Sequence, residues 1–333
     1  WRLALLTNLA ILARKTGYYS RAMEFSRQAW EIGRGLQEAR PTALANRALV
    51  ELVEMYARVG EMEKLTALFE ETRDRSLGGS MGARLETAKT GLAIMRTTPH
   101  LAFRCGPLAV ESILTTLRPD AMFDETLPDA RSTSQGTSLS QISRLAGTLG
   151  LGMRMAFWPK EAGKRTPGQA RFPVPSVAHW RAGHFAALIQ RDGDRYLLKD
   201  PTFGSEIWVS ERAIVDEATG FFLVRALPEG WREVSPGEGS TVFGKGAPSG
   251  SDPNAYASED ADNPDCEKGM ATHRFFPLHG AIGLMDLPVS YSPPIGPAVE
   301  FKLSYAQTEI AQPAIFSYGN VGPMWTTHWV SYV

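Results

Sequence analysis

The sequence has few cysteines, almost no net charge and no long apolar run, and each shortage excludes a class of protein. Only two cysteines, Cys105 and Cys266, occur among the 333 residues, which is too few for a disulfide scaffold. The 35 Lys and Arg residues balance 36 Asp and Glu residues to a net charge of -1, so no nucleic acid partner is expected. No uninterrupted apolar stretch reaches the roughly 18 residues of a membrane helix, which predicts that no segment spans a membrane.

The composition that is present is typical of a folded protein. Hydrophobic residues make up 43% and charged residues 21% of the chain, and the length suggests about two domains. The chain starts at Trp1 rather than Met and stops within a strand-like THWVSYV. We therefore expect it to be a piece of a larger protein, and its compartment is unknown from this sequence.

Residues 1–97 are rich in Ala, Leu, Glu and Arg with helical periodicity. Gly17 and Gly60 each stand at the turn of a helix-turn-helix unit, with small or aromatic packing residues after them. The two units resemble degenerate tetratricopeptide repeats. That resemblance implies a peptide-binding groove, and the alternative is an all-α spacer that packs on the next domain.

Residues 98–230 combine helices with antiparallel strands. Helices are predicted from Cys105 and near Ser138 to Leu149, followed by β-like runs that include HFAALIQ and YLLKD. The Asp192-Gly193-Asp194 sequence between these two runs predicts a hairpin. Helices followed by antiparallel strands predict an α+β fold.

One cysteine, one histidine and one aspartate of this region form a candidate catalytic set. Cys105 precedes Gly106 and Pro107 at the predicted start of a helix, where the helix dipole favours a thiolate. His184 begins one strand of the predicted hairpin and Asp200 ends the other, so the two side chains should meet. An Asp that accepts from one imidazole nitrogen leaves the other nitrogen to take the thiol proton.

These motifs resemble the bacteriocin-processing (double-glycine) cysteine peptidases, which are papain-like. The matching pieces are RCGPLAV, GTSLSQISRLAGTLGLGM, VPSVAHWRAGHFAALIQ, YLLKDPTFG and VSERAIVDEATGFFLV. The resemblance implies that Cys105 is the nucleophile, His184 the general base and then acid, and Asp200 the residue that orients the imidazole. It also implies hydrolysis of peptide bonds through a thioester, with a peptide or polypeptide as substrate.

The sequence departs from the papain-like pattern at the oxyanion hole. Pro99 stands where these enzymes usually carry a Gln, and the next residue, His100, is the candidate substitute. Losing one such donor typically costs about a hundred- to a thousandfold in rate. Two alternatives therefore stay open: a degenerate module that only binds peptide, and a transglutaminase-like acyl transferase that uses the same three residue types.

The remaining regions predict a tether and a β-rich end. Residues 231–265 are rich in Gly, Ser, Pro and Asp, which predicts a flexible linker. Residues 266–333 contain YSPPIGPAVEFKLSY and FSYGNVGPMWTTHWVSYV, which resemble the start of an Rhs/YD-repeat region. That resemblance implies a toxin-related bacterial protein, secreted or on the cell surface, with a β-strand shell beyond Val333.

The sequence as a whole predicts an N-terminal helical region, a papain-like domain and a C-terminal β segment. We expect a cysteine peptidase-like module of an Rhs-type protein that acts on peptides, including its own parent chain. No cofactor and no metal ion are expected.

Overall fold

A computed structural model gives the fold of the chain. It describes residues 1–75, 77, 79–118, 132–160, 171–203, 205–247, 272–276, 281–291, 299–306 and 325–327. The α+β class is confirmed, because helices, an antiparallel sheet and a C-terminal β segment follow one another along the chain.

The N-terminal region consists of antiparallel helices. Its five helices are α1 Arg2–Lys15, α2 Tyr19–Gly33, α3 Ala39–Arg58, α4 Met62–Glu71 and α5 Gly79–Thr97. Gly17 and Gly60 form the α1–α2 and α3–α4 turns with φ of 82° and 70°, a left-handed conformation that glycine adopts without strain. A Cβ on Gly17 would lie 2.6 Å from Val209 Cγ1, so this turn packs directly against the sheet.

The middle of the chain forms a seven-stranded antiparallel sheet with helices around it. The sheet strands are β2 Arg154–Phe157, β3 Ser176–Trp180, β4 His184–Asp192, β5 Arg195–Asp200, β6 Ser205–Ser210, β7 Ala218–Val224 and β8 Arg232–Glu233, in the order β6-β5-β4-β3-β7-β2-β8. The helices of this part are α6 Pro99–Ala102, α7 Cys105–Leu117, α8 Leu139–Thr148, α9 Glu211–Glu217 and α10 Pro236–Gly239. A small separate sheet pairs β1 Thr137–Ser138 with β9 Phe243–Gly244.

Each face of the large sheet packs against different helices. Alternate residues of β4 point to opposite sides, so Ala186 and Leu188 join a core with α2, whereas Phe185 and Ala187 join a core with α7 and α8. His184 is two residues before Ala186 on β4, so the two side chains lie on the same face. The alternation therefore places His184 on the side of the sheet that the N-terminal helices cover.

A bulge sets the register of the β4–β5 hairpin. Leu188 pairs with Leu198, but Gln190 pairs with Leu197, so the extra residue falls between Leu188 and Gln190. Beyond the bulge Ala187 pairs with Lys199, so Asp200 lies level with Ala186, on the face of the sheet that carries His184, and diagonally across from His184.

The structure differs from the sequence-based expectation over residues 231–247. The linker predicted for 231–265 begins instead with β8, α10 and β9, and Val234, Val242 and Ala247 are buried. These three apolar side chains, spaced among Gly, Ser and Pro, give the segment enough contact to fold onto the domain. Residues 248–265 lie outside the described part of the chain.

The C-terminal segment contributes a separate four-stranded antiparallel sheet. Its strands are β10 Thr272–Phe276, β11 Ala281–Tyr291, β12 Val299–Ala306 and β13 Trp325–Thr327, in that order. Among the described residues, no helix has both the length and the apolar character needed to cross a membrane.

Candidate active site

Cys105 is the first residue of α7 and is almost completely buried. Its side chain is 1% exposed, and α7 continues into the core through Ala109, Val110 and Ile113. The first N–H groups of a helix have no partner within the helix, so the thiol lies beside donors that can bind groups outside α7 and beside the positive end of the helix dipole.

His184 and Asp200 form a buried pair. His184 Nε2 lies 3.0 Å from Oδ1 and 2.9 Å from Oδ2 of Asp200, and both side chains are 0% exposed. Because the carboxylate can only accept, Nε2 carries the proton in this pair. The other ring nitrogen, Nδ1, is buried without a hydrogen-bond partner of good geometry among the described residues.

Cys105 lies on the Nδ1 side of the His184 ring. A Cβ built on Gly246 would meet His184 Nδ1 at 2.3 Å and Cys105 Cβ at 2.6 Å, so one point in space adjoins both side chains. The structure therefore brings Cys105, His184 and Asp200 together, with the imidazole in the middle.

The charges around His184 favour the protonated ring. Burial alone would lower the pKa of His184, but the Asp200 carboxylate and its hydrogen bond, helped by Cys105, outweigh burial and raise the pKa to about 10. The ring is then an imidazolium at neutral pH, and its positive charge lies beside the sulfur of Cys105. This arrangement suits an activated cysteine nucleophile.

Tyr19, from the N-terminal helix α2, completes the surroundings of Asp200. Its hydroxyl donates to Asp200 Oδ2 at 3.0 Å, and its ring stacks on Phe203 at 4.1 Å. Burial, together with the negative charge of Asp200, raises the pKa of Tyr19 well above its ordinary value, so the hydroxyl stays a donor. In the sequence Tyr19 is one of the aromatic packing residues that follow Gly17, and its separation of 181 residues from Asp200 leaves no local signal of this contact.

The chain's own residues Val242–Ala247, the cleft segment, cross the site, and Phe243–Gly244 within this segment form β9. Its first half pairs with β1, and its Phe243 carbonyl accepts from His179 Nε2 at 2.9 Å. Its second half is held where Lys245 N–H donates to the Gly183 carbonyl at 2.8 Å, and Ala247 N–H donates to the Arg58 carbonyl at 2.7 Å. The segment is thus bound through its backbone on both sides of Cys105, as an extended peptide is bound by strand addition.

Gly246 makes the contacts with Cys105. Its N–H donates to Cys105 Sγ at 3.2 Å, and its carbonyl accepts from the backbone N–H groups of Arg104 and Cys105, each at 3.1 Å. Two N–H groups at a helix N-terminus that bind one carbonyl oxygen have the geometry of an oxyanion hole.

His100 is not a donor to this carbonyl among the described residues. It lies in α6, is partly buried, and its backbone carbonyl accepts from Ser132 N–H at 3.3 Å. The donors that the structure shows at Gly246 are backbone groups. A side-chain substitute for the Gln of papain-like enzymes therefore remains only a sequence-based expectation.

His179 supports the cleft segment without joining the Cys105 pair. Its Nδ1 lies 2.9 Å from Thr219 Oγ1, and its Nε2 faces the Phe243 carbonyl, which can only accept. Burial, with the nearby charge of His184, lowers the pKa of His179 to about 4. The ring is therefore neutral, with its proton on Nε2 and Nδ1 accepting from the Thr219 hydroxyl.

The cleft segment has the composition of a linker, so its sequence does not predict its place at the site. The one signal was the sequence VFGKGA, in which two large apolar residues interrupt a run of small and polar ones. No group of three or more His, Cys, Asp or Glu side chains within the described part of the chain is arranged to hold a metal ion.

Comparison with known proteins supports a peptidase-like domain in the middle of the chain. The Peptidase C39 family matches residues 102–227, a range that contains Cys105, His184 and Asp200. One solved structure that aligns with the chain is a double-glycine motif protease from an AMS/PCAT transporter in complex with the leader peptide. It has 16% sequence identity and a TM-score of 0.30, and the alignment covers 40% of this chain and 86% of that one. None of the curated proteins matches the chain.

Proposed function

We propose that the chain is a cysteine peptidase in which Cys105 attacks a peptide carbonyl and His184 moves the proton. The observation that carries the proposal is the buried His184, which has Asp200 on one ring nitrogen and Cys105 on the side of the other. The match of residues 102–227 to the Peptidase C39 family supports the same reaction. Asp200 holds the imidazole in place and stabilises its positive charge.

We also propose that the parent protein is itself a substrate. The cleft segment supports this, because a peptide segment already lies across Cys105 and is bound there through its backbone. The helical region would then be part of the enzyme, since Tyr19 contacts Asp200 and the Arg58 carbonyl contacts the segment. Tetratricopeptide-like helices before the peptidase, and an Rhs-type shell after it, complete the proposed parent protein.

Comparison of the wild-type chain with Cys105→Ala and His184→Ala variants tests the proposal. Each purified chain is incubated with a mixture of unrelated peptides, and mass spectrometry follows both the peptides and the chain itself. We expect cleavage by the wild type alone, with circular dichroism showing that all three chains are folded. If the wild type is folded but cuts neither peptide nor itself, or if Cys105→Ala cuts equally well, the proposal is wrong.

A peptide-binding module without catalysis is the second candidate function. It is favoured because papain-like enzymes usually add a Gln side-chain donor to the oxyanion hole. Among the described residues, the donors to the Gly246 carbonyl are backbone N–H groups alone. A folded wild-type chain that binds added peptides but cleaves neither them nor itself would support binding only. Cys105-dependent incorporation of an amine instead of water would indicate an acyl transferase.

A further inference from the structure

We propose that the bond cut in this chain is Gly246–Ala247, the bond whose carbonyl group lies against Cys105. The inference rests on the proposed peptidase activity and deepens it by naming the bond.

The carbonyl of Gly246 is the one that faces the nucleophile. It accepts from the N–H groups of Arg104 and Cys105, each at 3.1 Å, while its own N–H lies 3.2 Å from Cys105 Sγ. The neighbouring carbonyls are directed elsewhere: that of Phe243 towards His179, and that of Lys245 towards Gly60. Negative charge that develops on the Gly246 oxygen during attack would therefore meet donors already in place.

The glycines of the segment fit a cleft that has no room for a side chain. A Cβ on Gly246 would lie 2.3 Å from His184 Nδ1 and 2.6 Å from Cys105 Cβ, and one on Gly244 would lie 2.5 Å from Phe185 Cδ2. Neither glycine has a positive φ, so space and not backbone conformation requires glycine here. A larger residue at 246 would push the carbonyl away from Cys105 or push His184 off its position.

Ala247 holds the leaving amine in a defined position. Its side chain is 0% exposed and packs in the same core as Phe103, and its N–H donates to the Arg58 carbonyl at 2.7 Å. The helical region thus fixes the residue after the bond, while the peptidase domain fixes the residue before it. Both sides of the bond are therefore held near Cys105, as an attack geometry requires.

The reaction balances with water as the only co-reactant. Cys105 sulfur, whose proton has passed to His184 Nδ1, bonds to the Gly246 carbonyl carbon, and the C–N bond to Ala247 breaks as Nδ1 gives its proton to that nitrogen. Water then attacks the thioester, giving one proton to His184 as the C–S bond breaks. The products are a carboxylate at Gly246, an amino group at Ala247, and Cys105 ready for another attack.

Three variants of the full chain test the assigned bond: Gly246→Ala, Gly237→Ala and Cys105→Ala. Gly237 is the matched control, because it lies in α10, just before the cleft segment, without a positive φ, and a Cβ there would meet nothing closer than Ser235 Oγ at 4.0 Å. Intact mass and N-terminal sequencing identify the fragments. We expect a fragment that ends at Gly246 and one that begins at Ala247, from the wild type and Gly237→Ala. We expect at least about a hundredfold slower cleavage in Gly246→Ala, since a displacement near 1 Å can cost that much.

The possible results separate this inference from the proposed function. Cleavage at another bond, such as Lys245–Gly246, would overturn the assigned bond and leave the peptidase in place. Uncut wild-type chain that still hydrolyses added peptides would do the same, and so would normal cleavage of Gly246→Ala. Fragments that also form from Cys105→Ala, or a wild type inert towards every peptide, would instead overturn the peptidase.

Discussion

At the scale of single residues, Asp200 decides the charge of His184 and so the pH dependence of folding. The pKa of His184 is raised from 6.5 to about 10 in the folded chain. A histidine whose pKa is higher in the folded chain than in the unfolded chain stabilises the fold. This stabilisation is complete at pH values below the pKa of the unfolded chain, and it is lost as the pH rises through the pKa of the folded chain. The Asp200–His184 pair should therefore stabilise the fold most near pH 6.5 and progressively less towards pH 10.

Asp200→Asn tests this dependence, because Asn keeps the shape and removes the charge. We expect the variant to lose on the order of a few kcal/mol of unfolding free energy near pH 6.5 and clearly less near pH 10. Urea unfolding at pH values across this window measures the difference. The control is Asp192→Asn, an exposed residue of the same hairpin, which should cost about 0.5 kcal/mol or less at every pH. A constant loss for Asp200→Asn would contradict the assigned charge of His184.

The hydroxyl of Tyr19 should stabilise the ionised Asp200. Tyr19→Phe removes the 3.0 Å hydrogen bond to Oδ2 and keeps the ring that stacks on Phe203. We expect a loss of about 1–3 kcal/mol in unfolding free energy, since a buried hydrogen bond to a charged group is lost. Urea unfolding measures this, with Tyr18→Phe as the neighbouring control, because the Tyr18 hydroxyl makes no hydrogen bond seen in the described part of the chain. Equal losses in the two variants would mean that the Asp200 contact contributes nothing.

Local sequence patterns predicted three residues of the site, Cys105, His184 and Asp200. They did not predict Tyr19 and Gly246, for a physical reason. The CGP sequence at a helix start and the hairpin between HFAALIQ and RYLLKD place Cys105, His184 and Asp200 without reference to the rest of the fold. Tyr19 belongs to the N-terminal helices and contacts Asp200 at the end of β5. No periodicity in the sequence predicts a contact between two regions so far apart in the chain. Gly246 was missed because glycine in a Gly- and Ser-rich stretch is typical of a linker, whereas its requirement here comes from the side chains that surround it.

At the scale of elements, the N-terminus of α2 is anchored to the end of α9 by one carboxylate. Glu217, at the end of α9, is 2% exposed and accepts from Ser20 N–H at 2.9 Å, from the Ser20 hydroxyl and from Arg21 N–H at 3.4 Å. A negative charge at a helix N-terminus is stabilised by the free N–H groups and the dipole there. Because Tyr19 is the first residue of α2, this anchor also sets the position of the hydroxyl that reaches Asp200.

Glu217→Gln should loosen α2 without removing volume. We expect a loss of about 1–2 kcal/mol in unfolding free energy, with faster hydrogen exchange in the first turn of α2. Glu24→Gln is the control, because Glu24 lies on the same helix in an exposed pair with Arg27, where about 0.5 kcal/mol or less is expected. If exchange in the first turn of α2 were equal in the two variants, Glu217 would not be its anchor.

The elements of the sheet differ in how well the sequence predicts them. The strands around the Asp192–Asp194 turn follow from alternation and turn residues, but β3 was not predicted as a strand. Its residues Ser176–Trp180 are all buried, because β3 lies between β4 and β7 at the centre of the sheet. A strand buried on both faces lacks the alternation of apolar and polar residues by which strands are recognised.

At the scale of the whole molecule, helices, sheet and cleft segment enclose the site together. A Cβ on Gly60, in the α3–α4 turn, would meet the Lys245 carbonyl oxygen at 2.5 Å, so the N-terminal helices cover the segment that crosses Cys105. While the segment is in place, Cys105 is 1% exposed and no other peptide can occupy the same backbone contacts. We therefore expect the chain to cut added peptides faster after its own segment has been cut and released.

The attachment of the cleft segment also predicts that each chain cuts itself. The segment continues from β8 through α10, so it reaches Cys105 of its own chain without diffusion, at an effective concentration of about 1 mM or more. At about 1 µM, cleavage between two chains should be roughly a thousandfold slower than cleavage within one chain. The half-time of cleavage should therefore stay constant over about a hundredfold dilution from that concentration. A tagged Cys105→Ala chain, which carries an intact cleft segment, should remain uncut when mixed with an equal amount of wild type, as followed by gel electrophoresis. If the tagged chain is cut as fast as the wild type cuts itself, cleavage occurs between chains, and the segment would have to leave its own cleft before it is cut.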